Sequence, residues 1–194
     1  MQQQQIAKPY EELIELLYTL DKELERDKPG KEFRVRIDAV GGFALLYHGL
    51  RVSDKKTRDI DMVNELMSWV WKIAYKIDNS NWLSDGPNTI LHIIYPCVKD
   101  NLEFIKDAQY RFPNDHIELW VATLDSIVGL KLDSLRRAAE EGHSIQTTKR
   151  TQDFKDLREI FKLYQIDSTS SFIKEYPKLS PFSWKKYSTS DDFF

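Results

Sequence analysis

Hydrophobic residues in the first quarter of the chain follow two periods, and each period predicts one kind of element. Between residues 10 and 27 they recur at steps of three and four, which predicts an amphipathic helix. From residue 33 to residue 40 hydrophobic and polar side chains alternate, which predicts a strand. Gly41 and Gly42 interrupt that alternation, and the residues after them predict a short helix that ends at Gly49.

The rest of the chain is first strand-like and then helical. Strands are predicted at residues 58–63, 90–95 and 117–121, and Asn64 is in position to cap a helix after the first of them. From Leu124 onward the hydrophobic spacing predicts two helices joined by a polar stretch. This order predicts an α/β (α+β) fold, a mixed sheet flanked by helices and followed by a helical unit.

The same pattern divides the chain into three parts. Residues 1–122 are predicted to form the sheet domain with its N-terminal helix, and residues 123–166 the helical unit. Residues 167–194 are rich in serine, lysine and aromatic side chains, and we interpret them as a C-terminal tail. A chain of 194 residues accommodates one domain with such a helical appendage.

Composition and net charge limit the cellular locations and the binding partners that we expect for this protein. The net charge of −3 provides no overall positive field for holding a long nucleic acid through its phosphates alone. The single cysteine, Cys97, excludes an internal disulfide and fits a reducing compartment. Neither a signal-peptide pattern nor a long apolar run is present, so we expect a cytoplasmic protein without a membrane partner.

Two acidic residues in one predicted strand are the strongest candidates for chemistry. Asp59 and Asp61 are two positions apart, so their side chains project on one face while Ile60 enters the core. Converging carboxylates are the hard oxygen ligands that Mg²⁺ prefers, together with the oxygens of a triphosphate. Gly41 and Gly42 come before them at the start of a helix, where bare backbone can approach a phosphate.

The Gly-Gly turn and the acidic strand together resemble the signature of minimal nucleotidyltransferases of the DNA polymerase β superfamily. Within that superfamily the chain is most similar to the toxin branch, which includes the AbiE-type abortive-infection toxins. The resemblance extends from about Val35 to Leu163. The matching segments are Val40-Gly41-Gly42-Phe43-Ala44-Leu45-Leu46-Tyr47-His48-Gly49, Thr57-Arg58-Asp59-Ile60-Asp61, Gly129-Leu130-Lys131-Leu132 and Arg150-Thr151-Gln152-Asp153-Phe154-Lys155-Asp156-Leu157.

The resemblance implies a nucleotidyltransferase-type sheet and a role for each residue of the first motif. Gly41 and Gly42 would hold the triphosphate, and Asp59 and Asp61 would bind Mg²⁺, with Mn²⁺ as the alternative ion. The family also has an arginine before its acidic motif. The candidates for that nucleotide-binding position are Arg51, Lys55 and Arg58.

The helical motifs imply two further site residues. Lys131 would contact phosphate, and Asp153 would complete the active site from the helical unit, whereas Asp156 is expected to serve mainly packing or capping. Many members of the superfamily carry a third carboxylate on a later strand, but residues 90–95 contain no acid. Either Asp153 replaces that carboxylate, or metal binding is weaker, or the chain is a noncatalytic member.

The activity that the resemblance implies is transfer of a nucleotide from a nucleoside triphosphate to a hydroxyl, with release of pyrophosphate. The toxin branch implies an RNA acceptor, such as the 3′ end of a tRNA, and a cognate antitoxin as protein partner. A protein hydroxyl is the nearest alternative acceptor. The competing interpretation is a catalytically degenerate module of the same fold that binds or regulates, as an antitoxin does.

The histidines offer no spacing typical of a zinc site. With a single cysteine in the chain, no zinc site can be argued from them. His48, directly before Gly49, is interpreted as a helix-end residue. The four are His48, His92, His116 and His143.

Overall fold

The computed structural model describes residues 8–50, 56–57, 59–77, 82–83, 86–87, 91–94, 102–140, 148–167 and 174. The three candidates for the family's arginine, Arg51, Lys55 and Arg58, lie outside these residues, as does most of the predicted tail. Among the helices within these ranges, none is both long enough and apolar enough to cross a membrane.

Five helices and nine strands occur in the described residues, which confirms the predicted α/β class. The helices are α1 (Tyr10–Asp27), α2 (Gly41–Tyr47), α3 (Ser68–Ile77), α4 (Leu124–Glu140) and α5 (Thr148–Leu163). The strands are β1 (Lys8–Pro9), β2 (Val35–Ala39), β3 (Lys56–Thr57), β4 (Ile60–Met62), β5 (Trp82–Leu83), β6 (Gly86–Pro87), β7 (Leu91–Ile93), β8 (Phe104–Lys106) and β9 (Ile117–Ala122).

Five of the strands form one mixed sheet in the order β7-β4-β2-β9-β8. The central strand, β2, runs parallel to β9 and antiparallel to β4, and β7 runs parallel to β4. At the other edge β8 is antiparallel to β9. This order places β7 directly beside β4, the strand that carries Asp61. Two further pairs, β1 with β3 and β5 with β6, form small two-stranded sheets.

The described residues divide into two compact units. The first contains the nine strands with α1, α2 and α3, and it ends at Thr123. The second contains α4 and α5, which pack against each other. The residues that this helix pair buries have the hydrophobic spacing seen in the sequence; they include Ile127, Val128, Leu132, Leu135, Leu157, Ile160 and Phe161.

The core of the first unit includes the buried face of α1 and buried residues of the sheet strands. Leucines at the predicted helical spacing have no exposed surface, and each fully buried leucine contributes about 1.5–3 kcal/mol. Strand residues with no exposed surface lie in β2 and β4, so the strand that carries Asp61 is anchored on its other side. These residues are Leu13, Leu17, Leu20, Leu24, Ile37, Ala39, Ile60 and Met62.

A buried acid on α1 fixes the turn before β9. Asp21 has no exposed surface, and its carboxylate accepts hydrogen bonds from the Asn114 backbone N (2.8 Å), Asn114 Nδ2 (3.1 Å) and His116 N (2.9 Å). His116 stacks on Phe33, and its Nε2 forms a hydrogen bond with Oε2 of Glu25. That hydrogen bond holds the pKa of the Glu25 carboxyl below its usual range. The turn therefore delivers β9 to β2 in a fixed register.

Asn64 does not cap a helix, because α3 begins only at Ser68. Its side chain bonds the backbone of β2 instead. Oδ1 accepts a hydrogen bond from Asp38 N at 2.8 Å, and Nδ2 donates to the Arg36 carbonyl at 2.7 Å. The prediction was wrong because these two backbone groups of β2 occupy both ends of the Asn64 amide. The two bonds tie the end of the acidic strand to the centre of the sheet.

Candidate metal centre

Strand pairing brings His92 beside Asp61. The two residues are partners in the parallel register of β4 and β7. Because side chains alternate between the two faces of a sheet, partners point to the same face. Nδ1 of His92 lies 2.9 Å from Oδ1 of Asp61. Ile60 points to the opposite face and is fully buried, as its position between the two acids predicted.

Asp59 completes a cluster of three potential ligands. It lies directly before β4, and Asp59, Asp61 and His92 each offer one ligand atom within 4.8 Å of the others. An ion with bonds of about 2.1–2.3 Å connects ligand atoms up to about 4.6 Å apart, so the cluster is close to the size of a binding site. The side chains of Asp61 and His92 are 28% and 55% exposed, which leaves them accessible to an ion and a substrate.

Gly41 leaves room for the carboxylate of Asp61. A side-chain carbon at Gly41 would lie only 2.5 Å from Oδ2 of Asp61. The backbone of Gly41 has a φ of +63°, which residues with side chains rarely adopt. Next to it, the Val40 backbone N donates to the Asp61 carbonyl at 2.8 Å. Gly41 is thus part of the acidic centre, and Gly42 is buried in α2.

We expect Gly41→Ala to weaken metal binding and to lower the free energy of unfolding by about 2–3 kcal/mol. Left-handed backbone strain and overlap with the Asp61 carboxylate both contribute. The matched control is Gly49→Ala, because Gly49 has a φ of +74° but no atom within 4 Å of the added carbon. Denaturant unfolding and Mn²⁺ titration of both variants check the prediction. Equal destabilisation of the two variants with unchanged metal affinity would contradict it.

Lys131 and Asp153 belong to the second unit, and there they contact each other. Nζ of Lys131 lies 2.9 Å from Oδ1 of Asp153 and 2.6 Å from Oδ2 of Asp156. The side chains of Lys131 and Asp156 are 6% and 1% exposed. Ser134 Oγ donates to the other oxygen of Asp153 at 3.0 Å. One buried lysine therefore joins α4 to α5 through two carboxylates. The sequence did not indicate that Asp156 would be one of them.

His92 was not anticipated from the sequence, because the spacing of histidines along a chain does not reveal neighbours across a sheet. A signal was nevertheless present. Residues 90–95 form the predicted strand that contains no acid, and His92 is the side chain in it that can bind a metal. His48 ends α2 as predicted, and its Nε2 bonds the Ala122 carbonyl at 2.8 Å.

No protein-family model, no curated protein and no solved structure matches this chain. The features of the chain that bear on its function are therefore the geometry of Asp59, Asp61 and His92 and the motifs around them.

Proposed function

We propose that this chain is a metal-dependent nucleotidyltransferase, which moves a nucleotide from a nucleoside triphosphate to a hydroxyl acceptor. One observation carries the proposal: Asp59 and Asp61 converge with His92 beside the turn at Gly41. Two carboxylates at this separation suit a divalent ion, and a bound triphosphate supplies further oxygen ligands. The order of turn and acidic strand in the sequence supports the same assignment.

The proposed reaction is a displacement at phosphorus. The acceptor oxygen bonds to the α-phosphorus, the bond from that phosphorus to the bridging oxygen breaks, pyrophosphate leaves, and the acceptor proton passes to solvent. A divalent ion bound at the centre would neutralise charge on the reacting phosphate. Asp59 and Asp61 hold and orient the ion, and the backbone at Gly41 and Gly42 receives the triphosphate. Lys131 is proposed to contact phosphate.

The acceptor we propose is an RNA, at the 3′ end of a tRNA, and the biological role that of the toxin in a toxin–antitoxin or phage-defence system. Both assignments rest on the resemblance of the motifs from Val40 to Asp61 and around Lys131 and Asp153. A cognate antitoxin is then the protein partner. The single cysteine, Cys97, supports a cytoplasmic location.

A second candidate is a noncatalytic module that keeps the fold and the nucleotide site. Two observations favour it. The strand β7 has a histidine rather than a third acid, and Lys131 is held by Asp153 and Asp156 in an ion-paired cluster. Such a module would bind a triphosphate without transferring it.

Incubation with each α-labelled ribonucleoside triphosphate, Mg²⁺ or Mn²⁺ and total RNA tests the proposal. We expect label in RNA from at least one triphosphate, with matching release of pyrophosphate. Thermal unfolding with each triphosphate is measured alongside, because a ligand that binds only the folded state raises the melting temperature. A melting shift without transfer to RNA or protein would favour the noncatalytic module, and neither shift nor transfer would contradict both candidates.

A further inference from the structure

The candidate centre has two oxygen donors and one nitrogen donor. Asp59 and Asp61 provide carboxylates, and His92 provides an imidazole that the β4–β7 register holds in place. The imidazole is 55% exposed, so an ion can approach it. This donor set differs from the all-oxygen environment in which Mg²⁺ binds best.

We propose that His92 is the third protein ligand of the metal and makes this centre select Mn²⁺ over Mg²⁺, an inference that rests on the proposed function. Mg²⁺ is small, loses water reluctantly and is bound through oxygen. Imidazole binds transition metals more strongly than it binds Mg²⁺. Asp59, Asp61 and the phosphate oxygens make the set of metal ligands oxygen-rich, with room for octahedral coordination. Among the transition metals, such a set suits Mn²⁺.

The choice between Mn²⁺ and Mg²⁺ depends on the third ligand alone, because the two carboxylates can bind either ion. A carboxylate at position 92 would add charge and hard oxygen, which favours Mg²⁺. The imidazole adds no charge, so Mg²⁺ gains little from it, while Mn²⁺ gains a nitrogen bond. The identity of residue 92 therefore sets the ratio of the two affinities.

The competing role for His92 is to orient Asp61 through the hydrogen bond at 2.9 Å without touching the metal. Two variants separate these roles. His92→Asn keeps a side-chain NH for Asp61 and removes the imidazole, and His92→Asp creates an all-oxygen centre. Glu118→Gln is the matched control, because Glu118 is an acid of the same sheet that pairs with Lys106 and Arg34.

The experiment measures Mn²⁺ and Mg²⁺ affinities of the full-length chain by calorimetry, with and without the α,β-methylene analogue of each ribonucleoside triphosphate. Electron spin echo envelope modulation of bound Mn²⁺ detects a directly coordinated imidazole nitrogen. We expect nitrogen modulation in the unaltered protein and in Glu118→Gln, and its loss in His92→Asn and His92→Asp. The ratio of Mn²⁺ to Mg²⁺ affinity should fall at least about tenfold in His92→Asp.

The outcomes are distinct. Bound Mn²⁺ without nitrogen modulation, or an unchanged affinity ratio in His92→Asp, would overturn the role of His92 and leave the proposed transferase intact. A transition metal such as Co²⁺ or Zn²⁺ that binds through His92 and excludes Mn²⁺ would overturn the choice of ion. If neither Mn²⁺ nor Mg²⁺ binds even with the triphosphate analogues, the proposed function fails together with the inference.

Discussion

Asp59→Asn and Asp61→Asn are each expected to lower nucleotide transfer by about a thousandfold or more, the upper end of the range for loss of one electrostatic contact in an active site. The amide keeps the shape of the side chain and one oxygen, but it removes the negative charge that holds a divalent ion. Transfer of label from the preferred triphosphate to RNA is the measurement, at saturating Mg²⁺ and at saturating Mn²⁺.

Both variants should remain folded. The carboxylates of Asp59 and Asp61 lie within 4.8 Å of each other, so removing one charge relieves repulsion, and the melting temperature should stay the same or rise. Glu118→Gln again serves as the control and should retain transfer. Unfolding of both aspartate variants would make the pair structural, and near-normal transfer by stable variants would refute the metal centre.

Lys131→Met is expected to lower the free energy of unfolding by about 3–5 kcal/mol, the cost of removing one partner from a buried ion pair. The methionine fills most of the lysine's volume but leaves the carboxylates of Asp153 and Asp156 without their shared cation. Denaturant unfolding measures the change. Lys155→Met is the matched control on α5, because Lys155 is exposed, and should change stability by less than about 0.5 kcal/mol.

The double variant Lys131→Met/Asp156→Leu separates stability from activity. Replacing a buried ion pair by apolar residues is often nearly neutral, so we expect it to regain much of the lost stability. If Lys131 contacts phosphate as proposed, transfer should still be lower by about a hundredfold. Recovery of both stability and transfer would make Lys131 a purely structural residue, and full stability of Lys131→Met would contradict the buried pairing.

The sequence determined the helices, four of the five strands of the mixed sheet and the acidic pair, because each of these depends on neighbouring residues. The helical period fixed α1 at Tyr10–Asp27, and the two-residue period of a strand placed Asp59 and Asp61 on one side of the buried Ile60. The glycine pair was likewise visible as a break in the pattern. The spatial reason for Gly41, overlap with Asp61, was not visible.

Only the tertiary structure decided which distant side chains meet. The β4–β7 register joins Asp61 to His92 across 31 positions, and the packing of α4 on α5 joins Lys131 to Asp153 across 22. Hydrophobic periods specify which face of an element is buried, but they do not specify its neighbour or its register. Strand order and helix pairing depend on how all the buried faces fit together, so the third donor of the metal centre, His92, and the second partner of Lys131, Asp156, became visible only in the folded chain.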